Sequence, residues 1–282
     1  MESIEELKKI CQGTVRQDVS NIYMRYVCRP LSIRITRLIL PTQVTADQVS
    51  QAMIVAGLLA ALVLSLPWRG TFFVGAVLLQ LWYLIDCMDG EVARYRYYQK
   101  TGKISIDKRD TSLTGMYYDM INHYLMNFLV PAAVAFGEFV KTGSVVVLWL
   151  GSAASLGQVM LLAMHDARSR AVLSHLKKYK NIQVTSQEKK VEVNSKELKS
   201  AKWVFSSLHY IMTYPSVMNL VLLTAVFALA VPRMDWRGIL TVVLAIGSLA
   251  VASVLVIRAI QRRDPDREFS TQFSVSDDLP TV

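Results

Sequence analysis

The chain is poor in the residues that staple or ligate a small soluble fold. It has three cysteines in 282 residues, Cys11, Cys28 and Cys87, with no C-x-x-C pair. An odd set without metal-type spacing excludes a disulfide framework and predicts reduced thiols. Charge is also scarce: 19% of residues are charged, 52% are hydrophobic, and mean hydropathy is +0.32. Soluble domains hold about 45–50% apolar residues, so this balance argues against a soluble globular protein. There is no internal repeat and no separate soluble domain. No uninterrupted apolar stretch with a small-residue cleavage site stands in MESIEELKKICQGTVRQDVSNIYMRYVC, so no secretory signal is expected.

What is present is a series of long apolar runs. Six segments, at roughly 48–67, 71–90, 115–137, 143–164, 209–232 and 236–259, approach the about 20 residues that cross a bilayer. They predict an all-α integral membrane protein with six transmembrane helices. Residues 1–47 are read as a cytoplasmic or interfacial amino-terminal segment, 48–260 as the transmembrane domain and 261–282 as a polar, disordered tail. The connections after the second, fourth and sixth segments are rich in Lys and Arg. The other three, PWRGT, GEFVKTGS and VPRMDWRG, carry few charges. Excess positive charge marks the cytoplasmic side, which places both termini and the long loops inside the cell membrane. The net charge of +9 suits anionic lipid rather than nucleic acid, because the basic runs have few aromatics among them. Before the first span, helical spacing puts Leu31, Ile35, Leu38 and Ile39 on one side and turns Arg34 and Arg37 away, the pattern of an interfacial amphipathic helix.

The unexpected residues are acids. A charged side chain costs about 2.5–3.5 kcal/mol at the bilayer centre, yet Asp86 and Asp89 end the second segment and Asp119 begins the third. One such acid reaches water or pairs with Arg94 or Arg96; three from consecutive helices call for a shared purpose. Residues three and four apart share a helix face. Asp86, Asp89, Gly90 and Ala93 therefore make one stripe with Arg94 at its edge, and Gly115, Asp119 and His123 make another. Two acid-bearing stripes at one depth form a carboxylate pocket whose oxygen ligands suit Mg²⁺ or Mn²⁺.

These residues resemble the CDP-alcohol phosphotransferase family, membrane enzymes marked by D-x-x-D-G-x-x-A-R, a spacer and G-x-x-x-D-x-x-x-D. The first half stands as DCMDGEVAR, Asp86 to Arg94, and the second as GMYYDMINH, Gly115 to His123. PTQVT, Pro41 to Thr45, is similar to the family's P-N-x-x-T. The resemblance implies that Asp86, Asp89 and Asp119 bind divalent metal, with His123 a further ligand candidate. It implies that Asp86, Gly90, Ala93, Arg94 and Gly115 shape the pocket for CDP. It also implies a homodimer that moves a substituted phosphate from a CDP-activated alcohol to an acceptor alcohol of lipid, inositol or polyol type, releasing CMP.

Two departures stand out. The spacer between Arg94 and Gly115 is longer than the family's, so YQKTGKISIDKRDTSL is read as a loop insertion. The last aspartate, the family's general base, is His123 here. A neutral imidazole, with a pKa of about 6.5, is a competent base near neutrality. His123 is thus read as base, as metal ligand, or as a packing residue. Arg168 and Arg170, in MHDARSR, are candidates for an acceptor's phosphate, or simply flank the membrane. Two other readings remain: a catalytically silent protein that binds CDP and metal, and a divalent metal transporter. The clustering of the acids at one end weighs against transport.

Overall fold

The computed structural model describes residues 2–13, 22–104, 113–176, 182–184, 199–262, 266, 269 and 273–275. The described chain is helical apart from one three-residue antiparallel pairing. Helix α1 spans Ile4–Gln12, a π-turn follows at Met24–Cys28, and α2 spans Arg29–Ile39. Then come α3 (Ala46–Leu64), α4 (Arg69–Thr101), α5 (Leu113–Thr142), α6 (Val145–Leu176), α7 (Lys199–Ile211), α8 (Ser216–Ala230) and α9 (Trp236–Arg262). Strand β1 (Ile182–Val184) pairs with β2 (Phe273–Val275), so the tail read as disordered contributes a strand there.

Five helices, α3, α4, α5, α6 and α9, are long and apolar enough to cross a membrane. The expected fifth span at 209–232 is not one helix. Phe205–Ile211 and Ser216–Ala230 meet at 71°, and together they make a sixth span only if the bent pair is counted as one. The break coincides with Pro215, which lacks the amide donor a continuous helix needs and clashes with the preceding turn. Large apolar side chains such as Leu62, Trp149 and Leu223 lie exposed along the helices, as lipid-facing residues do.

Local chemistry sets the helix ends. Thr45, the last residue of the PTQVT stretch, caps α3. Its hydroxyl accepts from the Gln48 amide at 3.3 Å, and the Gln48 side chain accepts from the Thr45 amide at 3.0 Å. Helix α4 continues well beyond residue 90, where the span was expected to end. No proline or glycine interrupts Glu91–Thr101, and Val92 and Tyr95 are buried in a cluster with Leu7, Ile10 and Ile33. It stops at Gly102, whose φ of 68° suits a helix C-terminus. Part of the expected insertion is therefore helix; residues 105–112 lie outside the described ones.

Helix α3 packs on both α4 and α5, and α6 on α5 and α9. At the α3–α4 hairpin, Gly75 lies so close to Leu64 that an added Cβ would come within 2.8 Å of the Leu64 backbone nitrogen. Gly75→Ala is expected to destabilise the fold by about 1–3 kcal/mol, since backbone cannot yield as a side chain can. A melting curve in detergent checks this, and an unchanged midpoint would contradict the tight crossing.

The end of the bundle away from the aspartates is tied by charge. Lys141 Nζ bonds the buried Glu138 at 3.0 Å and Asp235 at 2.8 Å. Arg237 donates to the Leu66 carbonyl at 2.8 Å and lies over the Phe72 ring, 4.5 Å from its centroid. Arg69 donates to the Pro232 carbonyl. These contacts join three connections that the sequence shows only as short and weakly charged.

Candidate functional site

The two stripes read from the sequence face each other across a cavity of about 220 Å³ at the opposite end. Asp86, Asp89, Gly90, Ala93 and Arg94 line it from α4, and Gly115, Asp119 and His123 from α5. His123 Nε2 lies 3.1 Å from Asp119 Oδ1, one helical turn away, and 3.4 Å from Asp86 Oδ1 across the cavity. Donor atoms of Asp86, Asp119 and His123 all fall within 4.8 Å of one another. Two carboxylate oxygens and an imidazole nitrogen form a set that can hold a divalent cation. Asp119 is the rim residue, with its side chain 40% exposed, while Asp86 is 15% exposed.

Asp89 lines the same cavity but stands apart from this trio. Its Oδ2 accepts a hydrogen bond from Ser50 of α3 at 2.8 Å. The glycine beside it makes room for an arginine: a Cβ on Gly90 would lie 3.0 Å from Arg94 Nη1, so the guanidinium folds back over the bare backbone. Arg94 is buried and its Nε donates to the carbonyl of Cys11, in the last turn of α1. A cation at that position also satisfies the negative end of the helix.

Against His123 stands Trp82, one turn before Asp86 and fully buried. Its indole meets the His123 ring edge-on, with centroids 5.9 Å apart at 80°, and meets Tyr214 the same way at 78°. Tyr214 sits at the α7–α8 bend and donates to the Met126 carbonyl at 3.2 Å. The bend at Pro215 thus carries the ring that packs on Trp82, which in turn meets His123. Asn122, next to His123, is buried, and neither atom of its amide has a hydrogen-bond partner.

Two groups in the wall were not singled out in the sequence. Arg29 and Asp47 both line the cavity. Behind Arg29 lies Glu91, fully buried inside the DCMDGEVAR stretch. Its Oε1 accepts from Gln12 Nε2 at 2.6 Å and Ser32 Oγ at 2.6 Å; its Oε2 accepts from Thr36 Oγ1 at 2.7 Å. Arg29 Nη1 stands 3.6 Å away. One acid therefore pins α1 and α2 to α4. The signal was available, since the reasoning that flagged Asp86 applies to any acid in an apolar helix. The Cys11 thiol lies in the same cluster, and burial pushes its pKa up to about 12, with Glu91 acting in the same sense, so it stays protonated.

Helix α2 buries Ser32, Ile33 and Thr36 and leaves Leu31 and Leu38 exposed. Arg168 and Arg170, read as acceptor-binding candidates, are exposed on α6 and do not line the cavity. The arginines that do are Arg29 and Arg94. On α6, Asp166 accepts from the Tyr124 hydroxyl at 2.9 Å and joins α6 to α5.

The chain matches no family model and no curated protein. The reading of the site therefore rests on the residues themselves.

Proposed function

We propose that this chain is a membrane transferase that moves a substituted phosphate group from a CDP-activated alcohol to the hydroxyl of a second alcohol, releasing CMP. The observation that carries the reading is the convergence of Asp86, Asp119 and His123 in a cavity that Arg29 and Arg94 also line. Acids and guanidiniums lining one cavity suit a ligand that brings both metal-seeking and free phosphate oxygens.

The donor set fits Mg²⁺ or Mn²⁺, held by Asp86 and Asp119 with Asp89 beside them. Such an ion supplies charge neutralisation for a diphosphate. The chain's own residues do the rest. Arg94, held by Gly90 and the Cys11 carbonyl, binds phosphate oxygens of the donor. His123 Nε2 takes the proton of the acceptor hydroxyl as its oxygen attacks the donor's β-phosphorus. The bond from that phosphorus to the CMP oxygen breaks, and CMP leaves. Asp119, 3.1 Å from Nε2, stabilises the imidazolium formed. Positioning and electrostatics supply most of the catalysis in phosphoryl transfer. By the charge of its loops, the cavity opens on the cytoplasmic side of the cell membrane, with α2 in the lipid interface. The working unit in this reading is a homodimer.

One observation favours a second reading. His123 Nε2 is already engaged by two carboxylates, at 3.1 Å from Asp119 and 3.4 Å from Asp86, and a protein that binds CDP and metal without turnover needs no base.

The test is CMP release by purified protein in lipid with Mg²⁺ or Mn²⁺, over a panel of CDP-alcohols and acceptors. The expected result is metal-dependent release that is crippled in His123→Ala and partly kept in His123→Asp. Full activity in His123→Ala would remove the base role but leave the transferase. CDP binding without release from any pair would favour the silent binding protein.

A further inference from the structure

A second set of ligating atoms lies at the junction of the amino-terminal segment with α4, and it is made of sulfur. Met24–Cys28 forms a single π-turn, closed by the Arg29 amide bonding the Met24 carbonyl. Such turns are rare and recur at functional sites. Cys87, in the chain between Asp86 and Met88, donates its S–H to Met24 Sδ at 3.7 Å. Cys28 ends the same turn that Met24 begins, and Cys28 and Cys87 are buried in one cluster, each only 3% exposed. A single buried cysteine packs as a small apolar residue and carries no chemistry. Two thiols and a thioether meeting from two separate elements are a different matter.

We propose that Met24 Sδ, Cys28 Sγ and Cys87 Sγ form a binding site for a soft monovalent metal ion of the Cu(I) or Ag(I) class, separate from the oxygen and nitrogen donors of Asp86, Asp119 and His123. Thiolate and thioether sulfur select Cu(I), whereas carboxylates select Mg²⁺ and Mn²⁺, so the two sites do not compete for one ion. A three-coordinate ion with metal–sulfur bonds of about 2.3 Å spaces its ligands by about 4 Å, close to the 3.7 Å between Cys87 Sγ and Met24 Sδ. Met24 and Cys87 both line the cavity, which gives the ion a way in. Beside the sulfurs, Tyr23 is anchored to α4, its hydroxyl donating to Gln80 Oε1 at 2.6 Å. Binding releases the two thiol protons and leaves a complex of net charge −1 next to Arg29. An ion there ties the π-turn to α4 at the wall of the cavity.

The proposal stands whether or not the chain is a transferase, because its readout is metal uptake. The full-length protein, reduced and held in lipid nanodiscs, is titrated with Cu(I) against a chromophoric Cu(I) chelator. The expected result is one Cu(I) per chain, with an X-ray absorption spectrum of sulfur ligands at about 2.2–2.3 Å. Cys28→Ser and Cys87→Ser each weaken binding by about tenfold or more. Met24→Leu, close to isosteric and safe for folding, weakens it less, and Cys11→Ser leaves it unchanged. Oxygen or nitrogen ligands in the spectrum overturn the proposal, and so does uptake indifferent to both serine variants. If those variants do not fold, Met24→Leu decides, and an unchanged affinity and spectrum then refute the three-sulfur site.

Discussion

Replacing Glu91 with alanine is expected to cost the protein about 3–5 kcal/mol, the range found when one partner of a buried ionic cluster is removed. The variant leaves Arg29 without its acid and takes the acceptor away from Gln12, Ser32 and Thr36. Arg94 still keeps its bond to the Cys11 carbonyl. Hydrogen bonds to a charged acceptor contribute about 1.5–3 kcal/mol each, but three on one carboxylate do not add in full. The loss should lower the melting midpoint by about 5 °C or more and open α1 and α2 to protease before the bundle. Glu91→Gln keeps the shape and some of the hydrogen bonds, so it should fall between. A Glu91→Ala protein that melts with wild type would mean that the amino-terminal segment is not held by this acid.

The second large effect concerns the trio. Asp119→Asn and Asp86→Asn should each weaken Mn²⁺ binding by about 100-fold or more, beyond the 10–100-fold that removal of an outer partner of a ligand costs. Asp89→Asn should cost less, because Asp89 is engaged by Ser50 and stands outside the convergent donors. Electron paramagnetic resonance of Mn²⁺, titrated into the protein without nucleotide, measures this directly and does not depend on the donor or acceptor. If Asp89→Asn proved the most damaging of the three, the centre would have to be redrawn around Asp89. The order of the losses is thus the informative quantity.

The site was legible in the sequence to the extent that its geometry is local. Asp119 and His123 are four residues apart on one helix, so their meeting follows from helical spacing alone. The approach of Asp86 across the cavity followed from matching depth on consecutive helices. Glu91 shows where that legibility stopped. Its partners Gln12, Ser32 and Thr36 lie 79, 59 and 55 residues earlier in the chain, and no spacing rule connects them. The same distance hid Arg29 from the list of cavity arginines, whereas Arg168 and Arg170, chosen as a pair suited to a phosphate, lie outside the cavity lining. Helix bounds failed in a related way. Hydropathy marked the end of α4 near residue 90, whereas the helix follows its backbone to Gly102. Hydropathy also ran through Pro215, where the backbone turns.

The size of the cavity has a kinetic meaning. At about 220 Å³ it is smaller than the usual ligand pocket of about 300–1,000 Å³, so in the proposed transferase only the reacting end of a donor would fit inside. In that reading, spent nucleotide must clear the cavity before the next donor docks. Throughput then depends on how fast the surrounding compartment carries that nucleotide away.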